Sequence, residues 1–109
     1  MAEKTSEPIL DLIAGMTAAS MEASDLDAQT LMMVRIAALV AVDAPPVSYL
    51  LNLGAAGEAD VSEEQIRGVL TAVAPIVGTA RVAAAAGNVA RALGIAIDLA
   101  AMEEMEEME

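Results

Sequence analysis

The sequence predicts an all-α fold, a small bundle of five to six helices, and three observations support this prediction. Apolar residues recur at intervals of three and four, the spacing of one helix face. Residues suited to start a helix, such as Asp27, Pro46 and Ser62, separate the apolar segments. The alternating pattern of a half-buried strand is not found. We therefore assign the segments to helices in turn.

The first two helices are predicted to differ in how much of their surface is apolar. The first is capped by Ser6 and ends near Ala23, and its apolar residues at helical spacing are Ile9, Leu12, Ile13 and Met16. The second is capped by Asp25 or Asp27 and stops at Ala44, because Pro45 restricts the residue before it. It is apolar on nearly every side, with Arg35 and Thr30 as the polar interruptions. Such a helix lies in the middle of a bundle or between subunits.

A double proline and a capping motif predict where the next two helices begin. Pro45 and Pro46 can open a third helix, which ends near Gly57. Ser62 and Gln65 form a capping box at the start of the fourth helix. Pro75 should kink or interrupt this helix. Its predicted core face consists of Ile66, Val69, Leu70, Val73 and Val77.

A fifth, longer helix begins near Thr79. We expect one face to carry Val82, Ala86, Val89 and Leu93, and another to carry Arg81, Asn88 and Arg91. Gly87 and Gly94, seven residues apart, would permit close approach of a neighbouring helix. The 109 residues suit one domain, which we place at residues 1–101, followed by an acidic tail at residues 102–109.

Composition predicts association between copies of the chain. Hydrophobic residues make up 57% of the sequence, yet Tyr49 is the only aromatic residue and 25 residues are alanine. Small side chains bury little area each, at about 25 cal/mol per Å² of apolar surface. A monomer would leave apolar faces in water, and such faces usually mark interfaces. We therefore expect a homo-oligomer whose contacts include the second or fifth helix.

Charge and cysteine content exclude several classes of function. The net charge of −12 repels phosphate, so we expect no nucleic acid partner. The charge-free segments are broken by prolines and are too short to span a membrane, which predicts a soluble protein, with the cytoplasm as the default compartment. Without cysteine or histidine there is no thiolate metal site or thiol nucleophile, and we predict no metal and no cofactor.

Two long segments carry a resemblance to a known family. They are "LMMVRIAALVAV" and "DVSEEQIRGVLTAVAPIVGTARVAAAAGNVARAL", with a short break and a small helix between them. In this order the chain resembles the carboxymuconolactone decarboxylase-like family, which includes the alkylhydroperoxidase D type enzymes, over about residues 26–94. The resemblance implies an alkylhydroperoxidase D-like helical fold and homo-oligomers, most often trimers or hexamers, with sites near subunit contacts.

The resemblance also places the family's functional positions, and this chain departs from them. The peroxidases of the family carry Cys-x-x-Cys and then x-x-x-His in the short helix, and those positions correspond to Pro45, Ser48 and Asn52. The decarboxylases usually keep the histidine, and the expected glutamate on the preceding helix is absent. Peroxide reduction needs a thiolate and a resolving thiol, which serine does not replace. Asn52 does not titrate and so cannot transfer protons near pH 7.

Four residues are candidates for ligand binding. Ser48 and Asn52 share a helix face and could form a hydrogen-bonding pocket, or Ser48 could bond the backbone while Asn52 faces water or a subunit contact. Tyr49 is expected to pack with its hydroxyl at the rim. Arg35 could hold a carboxylate ligand, or pair with Asp43, Asp98 or a glutamate of another chain.

The tail "AMEEMEEME" allows three interpretations. Its carboxylates could bind a metal ion, or its methionines could contact an unidentified protein partner. Alternatively it is solvated and frayed, because its acids oppose the helix macrodipole at a C-terminus.

Three functional hypotheses follow. The first is an oligomeric structural or interaction module that lacks the chemistry of the family. The second is a small-molecule-binding protein, or an enzyme of altered chemistry, that uses a pocket at Ser48 and Asn52. The third is the alkylhydroperoxidase or peroxiredoxin-type activity that the family name implies, which the missing cysteines argue against.

Overall fold

The computed structural model describes the backbone of residues 8–107 and the side chains of residues 8–94, and it is all-α, as predicted. Its helices are α1 (Pro8–Ala23), α2 (Ala28–Ala41), α3 (Pro46–Glu58), α4 (Glu63–Val77) and α5 (Thr79–Glu107). Ser6, the predicted cap of the first helix, lies outside the described residues. In the described chain no helix is long and apolar enough to cross a membrane.

The two helix starts predicted from capping residues are confirmed. Asp27 accepts a hydrogen bond from the Thr30 amide at 2.8 Å. The Ser62 hydroxyl accepts from the Gln65 amide at 3.1 Å, and the Gln65 side chain accepts from the Ser62 amide at 2.8 Å. The capping box is therefore complete.

Helices α2 and α3 end in the same motif, which the sequence did not predict. After α2, Asp43 has a φ of 55°, and the Ala44 amide donates to the Leu39 carbonyl at 3.0 Å. After α3, Asp60 has a φ of 64°, and the Val61 amide donates to the Ala56 carbonyl at 2.9 Å. Both are Schellman motifs, in which a left-handed residue lets the following amide reach back. The turn occupies the residues between the helix and Pro45. For this reason α2 ends at Ala41 rather than at the predicted Ala44.

Pro75 lies inside α4 without dividing it. The helix runs from Glu63 to Val77. Its C-cap residue, Gly78, has a φ of 91° and a ψ of 155°. Proline removes the bond to the carbonyl four residues earlier, that of Thr71. Because Pro75 is exposed and within three residues of the helix end, this loss is confined to the last turn.

The core is formed by α2, α3, α4 and α5 together with Ala44 and Val61. Its buried residues are Leu31, Met32, Ile36, Val40, Ala44, Tyr49, Leu53, Ala56, Val61, Ile66, Ala85, Val89 and Ala92. The predicted face of α4 is confirmed. On α5 the prediction of Ala86 is wrong, since Ala85 is buried and Ala86 exposed. Four consecutive alanines gave no signal for choosing between them.

Helix α1 contributes no buried residue. Its large apolar side chains are between 51% and 69% exposed, as shown by Ile9, Leu10, Leu12, Ile13, Met16 and Met21. By contrast α2, predicted to be the helix in need of cover, has four residues buried within its own chain. Half of the exposed large apolar side chains among the described residues are thus on α1.

Candidate functional site

Helix α3 carries the candidate polar residues in its first two turns. Pro45 is its exposed N-cap residue, and no side-chain hydrogen bond caps this helix. The Asn52 side chain donates from Nδ2 to the Ser48 carbonyl at 2.8 Å. Ser48 therefore takes part in this contact through its backbone, and the remaining amide hydrogen of Asn52 stays available.

The expectation that Tyr49 places its hydroxyl at the rim is wrong. The side chain is fully buried, and its hydroxyl has no hydrogen-bond partner in the described structure. Burial raises the pKa of the phenol, and the nearby charge of Asp43 raises it further. Tyr49 is the largest fully buried side chain here, so in a core of small residues its ring is needed to fill volume.

A cavity of about 540 Å³ lies between α1, α2 and α3. One face of each helix lines the cavity. On α1 this face carries Ile13, Thr17 and Met21. On α2 it includes Leu31 and Arg35, and on α3 it includes Asn52 and Glu58. The structure thus brings together Arg35 and Asn52, two of the four candidate ligand-binding residues. Ser48 and Tyr49 do not line this cavity.

Arg35 contacts a helix carbonyl rather than an acid. Its Nη2 donates to the carbonyl oxygen of Thr17 at 3.2 Å, and this bond joins α2 to α1. The expected ion pair with Asp43 is not formed, and within residues 8–94 no carboxylate lies at salt-bridge distance from Arg35. Asp98, the other partner considered in this chain, lies outside the described side chains.

The order of residues along the cavity follows from the antiparallel packing of α2 and α3. The Gln29 side chain, at the start of α2, donates to the Asp60 carbonyl just after α3 at 3.1 Å. Arg35 and Asn52 are therefore on one level, about 10 Å along the helices from Ala28 and Ala59. Arg35 and Asn52 thus share one part of the cavity, and the exposed Glu58 lies toward Ala28 and Ala59.

The polar residues of α5 have a structural role that sequence reasoning missed. Arg81 donates to the Ala41 carbonyl at 2.8 Å, and Asn88 donates to the Ala44 carbonyl at 3.3 Å. The Ala41 carbonyl is at the C-terminal end of α2, where the last carbonyls have no partner within the helix, and the Ala44 carbonyl is in the turn that follows. The seven-residue spacing of Arg81 and Asn88, two helical turns, was the signal that could have predicted a shared target.

Within the part of the chain described, Gly87 does not mark a close contact between helices, and no cluster of metal ligands is found. A β-carbon added to Gly87 would meet no atom within 4 Å, so no helix of the same chain approaches it closely. No group of three or more acidic residues that could hold a metal ion occurs among the described residues. The carboxylates of the tail lie outside the described side chains, although α5 continues to Glu107 where fraying was expected.

Comparison with known families decides the family. The model of the carboxymuconolactone decarboxylase family matches residues 7–92. The chain belongs to the carboxymuconolactone decarboxylase family. The match includes α1, the cavity and about the first half of α5. No curated protein and no solved structure matches the chain significantly.

Within the carboxymuconolactone decarboxylase family, the resemblance predicts cysteine and histidine side chains for the peroxidases. This chain contains no cysteine and no histidine. Of the three residues that the resemblance predicts at the family's dithiol and histidine positions, Pro45 is a helix N-cap, Ser48 is half-buried and Asn52 lines the cavity. These groups can donate and accept hydrogen bonds but provide neither a thiolate nor a base near neutral pH.

Proposed function

We propose that this member of the carboxymuconolactone decarboxylase family acts as an oligomeric structural or interaction module without thiol-dependent peroxidase chemistry. The observation that carries the proposal is the exposed apolar surface of α1. Leu12 is 64% exposed and Met16 is 62% exposed, and the helix buries none of its side chains. Burial of one such side chain is worth about 1.5–3 kcal/mol, so contact with another chain is strongly favoured.

The dimensions of the chain support the same proposal. A compact domain of this length has a radius of gyration of about 13 Å. The value here is 15.7 Å, which fits a chain whose helices are not all packed against each other. We expect a trimer or hexamer, as the family resemblance implies, with α1 in the contact.

The composition of the chain supports the proposed absence of thiol-dependent peroxidase activity. Reduction of a hydroperoxide by a thiol enzyme requires a cysteine that becomes a sulfenate and a second thiol that resolves it. This sequence offers neither. Hydroperoxide consumption with a dithiol donor should equal that of the buffer, and turnover that is lost in Ser48→Ala would contradict the proposal.

The interface is tested with a matched pair of variants. Leu12→Glu places a charge on the exposed side of α1, away from the cavity, and should lower the mass measured by light scattering. Ile76→Glu makes the same change on α4, where the side chain is 87% exposed, and should leave the mass unchanged. An unchanged mass for Leu12→Glu would remove α1 from the interface.

Small-molecule binding is a second candidate function, and the cavity favours it. Ligand pockets commonly measure about 300–1,000 Å³ and combine apolar walls with a few polar groups. The cavity of about 540 Å³ fits this description, with Arg35 and Asn52 among its polar residues. The pocket we propose therefore uses Asn52 and Arg35 rather than Ser48 and Asn52.

The domain boundaries and the tail remain predictions. We keep the domain at residues 1–101, and the end of the family match at residue 92 is compatible with this. The tail at residues 102–109 is the proposed contact for an unidentified protein partner. A cytoplasmic location likewise remains a prediction.

A further inference from the structure

Arg35 has the hydrogen-bonding capacity to bind an anion in the cavity. A guanidinium group carries five N–H donors and always bears its charge. The structure assigns one hydrogen bond to it, with the Thr17 carbonyl, and gives it no carboxylate partner within residues 8–94. Among the side chains of residues 8–94, this half-buried, positively charged group therefore has no counter-ion of the kind that such groups usually have.

The rest of the cavity fits an aliphatic chain. Leu31 and Met32, both nearly fully buried, form the wall on α2, and Met21 lines the cavity on α1 one helical turn beyond Thr17, the residue that Arg35 contacts. The seven residues from Ala28 to Arg35 correspond to about 10 Å along the helix. The cavity therefore combines a cationic group at Arg35 with an apolar channel of that length toward Ala28.

We propose that this cavity binds a monocarboxylate with an aliphatic chain, with the carboxylate at Arg35 and Asn52 and the chain along Leu31 toward Met21. The inference rests on the second candidate function, small-molecule binding, and names its ligand class. Arginine suits this task because its planar donors match both oxygens of a carboxylate. Asn52 Nδ2 has a second hydrogen to donate beside it.

The remaining charges of the cavity set the direction of the ligand. Glu58 lines the cavity about 9 Å along α3 from Asn52, so it repels a carboxylate at that end. The net charge of −12 opposes anion binding in general. Exposed charges are screened beyond about 8 Å at physiological salt, so the contact with Arg35 outweighs this repulsion.

The test uses octanoate and 1-octanol as probes, with calorimetry on the full-length protein. Octanoate should bind more tightly than 1-octanol, which has the same chain without the charge. Arg35→Met should weaken octanoate binding about tenfold or more, the expected effect of losing a charge-assisted hydrogen bond, and should leave 1-octanol unchanged. Arg35→Lys should retain part of the preference for octanoate.

Arg67→Met is the matched control variant. Arg67 is also a helix arginine, but its side chain is 72% exposed and pairs with Glu63 on α4 at 3.1 Å, away from the cavity. Its loss should not change either affinity. Octanoate binding that is equally strong in Arg35→Met and the native protein would overturn the inference, because the ligand would then bind elsewhere.

The outcomes separate the inference from the function on which it rests. Equal affinity for octanoate and 1-octanol would confirm small-molecule binding but overturn the carboxylate class. Binding of neither probe would overturn both. A third outcome is that octanoate binds only to the dissociated Leu12→Glu variant. A second copy of the chain would then occupy the cavity in the native assembly, and the inference would be wrong.

Discussion

At the scale of single residues, short side chains at helix ends determine where the helices of this protein begin and stop. Asp27 and Ser62 accept from amides of the first turn, and Asp43 and Asp60 adopt the left-handed conformation after α2 and α3. The starts could be predicted because capping residues precede apolar segments. The ends of α1 and α3 were also predicted to within one residue, but the two left-handed aspartates were not, because an aspartate is equally common in other turns and glycine is the usual residue at such positions.

Loss of the Ser62 hydroxyl should destabilise the fold. Ser62→Ala leaves the Gln65 amide without its partner and should lower the free energy of unfolding by about 1 kcal/mol. Ser62→Thr keeps an acceptor and should lose less. Urea denaturation measures both, and equal midpoints for Ser62→Ala and the native protein would show that the cap contributes nothing.

The carboxylate of Asp27 should make stability depend on acid pH. The hydrogen bonds from Thr30 lower the pKa of this carboxyl in the folded state. Its stabilising effect is therefore present above the pKa of the unfolded chain and is lost as the pH falls through the folded-state pKa. Asp27→Asn keeps a capping oxygen without a charge.

The measurement for Asp27 is the urea midpoint at neutral pH and at successively lower pH values. The native protein should lose more stability on acidification than Asp27→Asn does. Parallel pH profiles for the two proteins would rule out a charged cap at this position.

The unpaired hydroxyl of Tyr49 should reduce stability. A buried polar group without a partner costs about 1–3 kcal/mol, so Tyr49→Phe should raise the free energy of unfolding. Tyr49→Leu, which also removes the ring, should lower it by leaving a void. A clear loss of stability in Tyr49→Phe would mean that the hydroxyl finds a partner in the assembled protein.

At the scale of helices, the order and number of elements were predictable, but the faces of the alanine-rich helices were not. The face of α4 is marked by branched residues such as Ile66 and Val69, and it was predicted correctly. On α5 the choice between Ala85 and Ala86 had no chemical signal. The cavity could not be predicted from the sequence either. Its lining depends on the orientation of three helices, and only that orientation brings Arg35 and Asn52 together.

The end of α4 should depend on a glycine at position 78. Its φ of 91° and ψ of 155° are essentially restricted to glycine, so Gly78→Ala should lower the free energy of unfolding by about 1–3 kcal/mol. Gly68, inside α4, is the matched control. A β-carbon meets no atom within 4 Å at either position, so only the backbone differs.

Gly68→Ala should raise the free energy of unfolding by about 0.5–1 kcal/mol, because alanine is the better helix former. Thermal unfolding monitored by circular dichroism can compare the two variants. Equal effects of the two substitutions would contradict the backbone argument.

At the scale of the whole molecule, the chain separates a packed unit, α2 to α5, from a helix without cover. Composition predicted that some apolar surface would lack cover but located it on the second or fifth helix. The structure places half of the exposed large apolar side chains among the described residues on α1, which contributes no buried residue, whereas α2 buries four residues within its own chain. Counting apolar residues could not distinguish these cases, since both helices are rich in them.

The central claim is that this family member works as an assembly, and the mass of the native protein in solution tests it most directly. Size exclusion with light scattering at low micromolar concentration should give a multiple of 11.1 kDa, three or six times that value if the family resemblance holds. A stable, well-folded species of 11.1 kDa would contradict the claim.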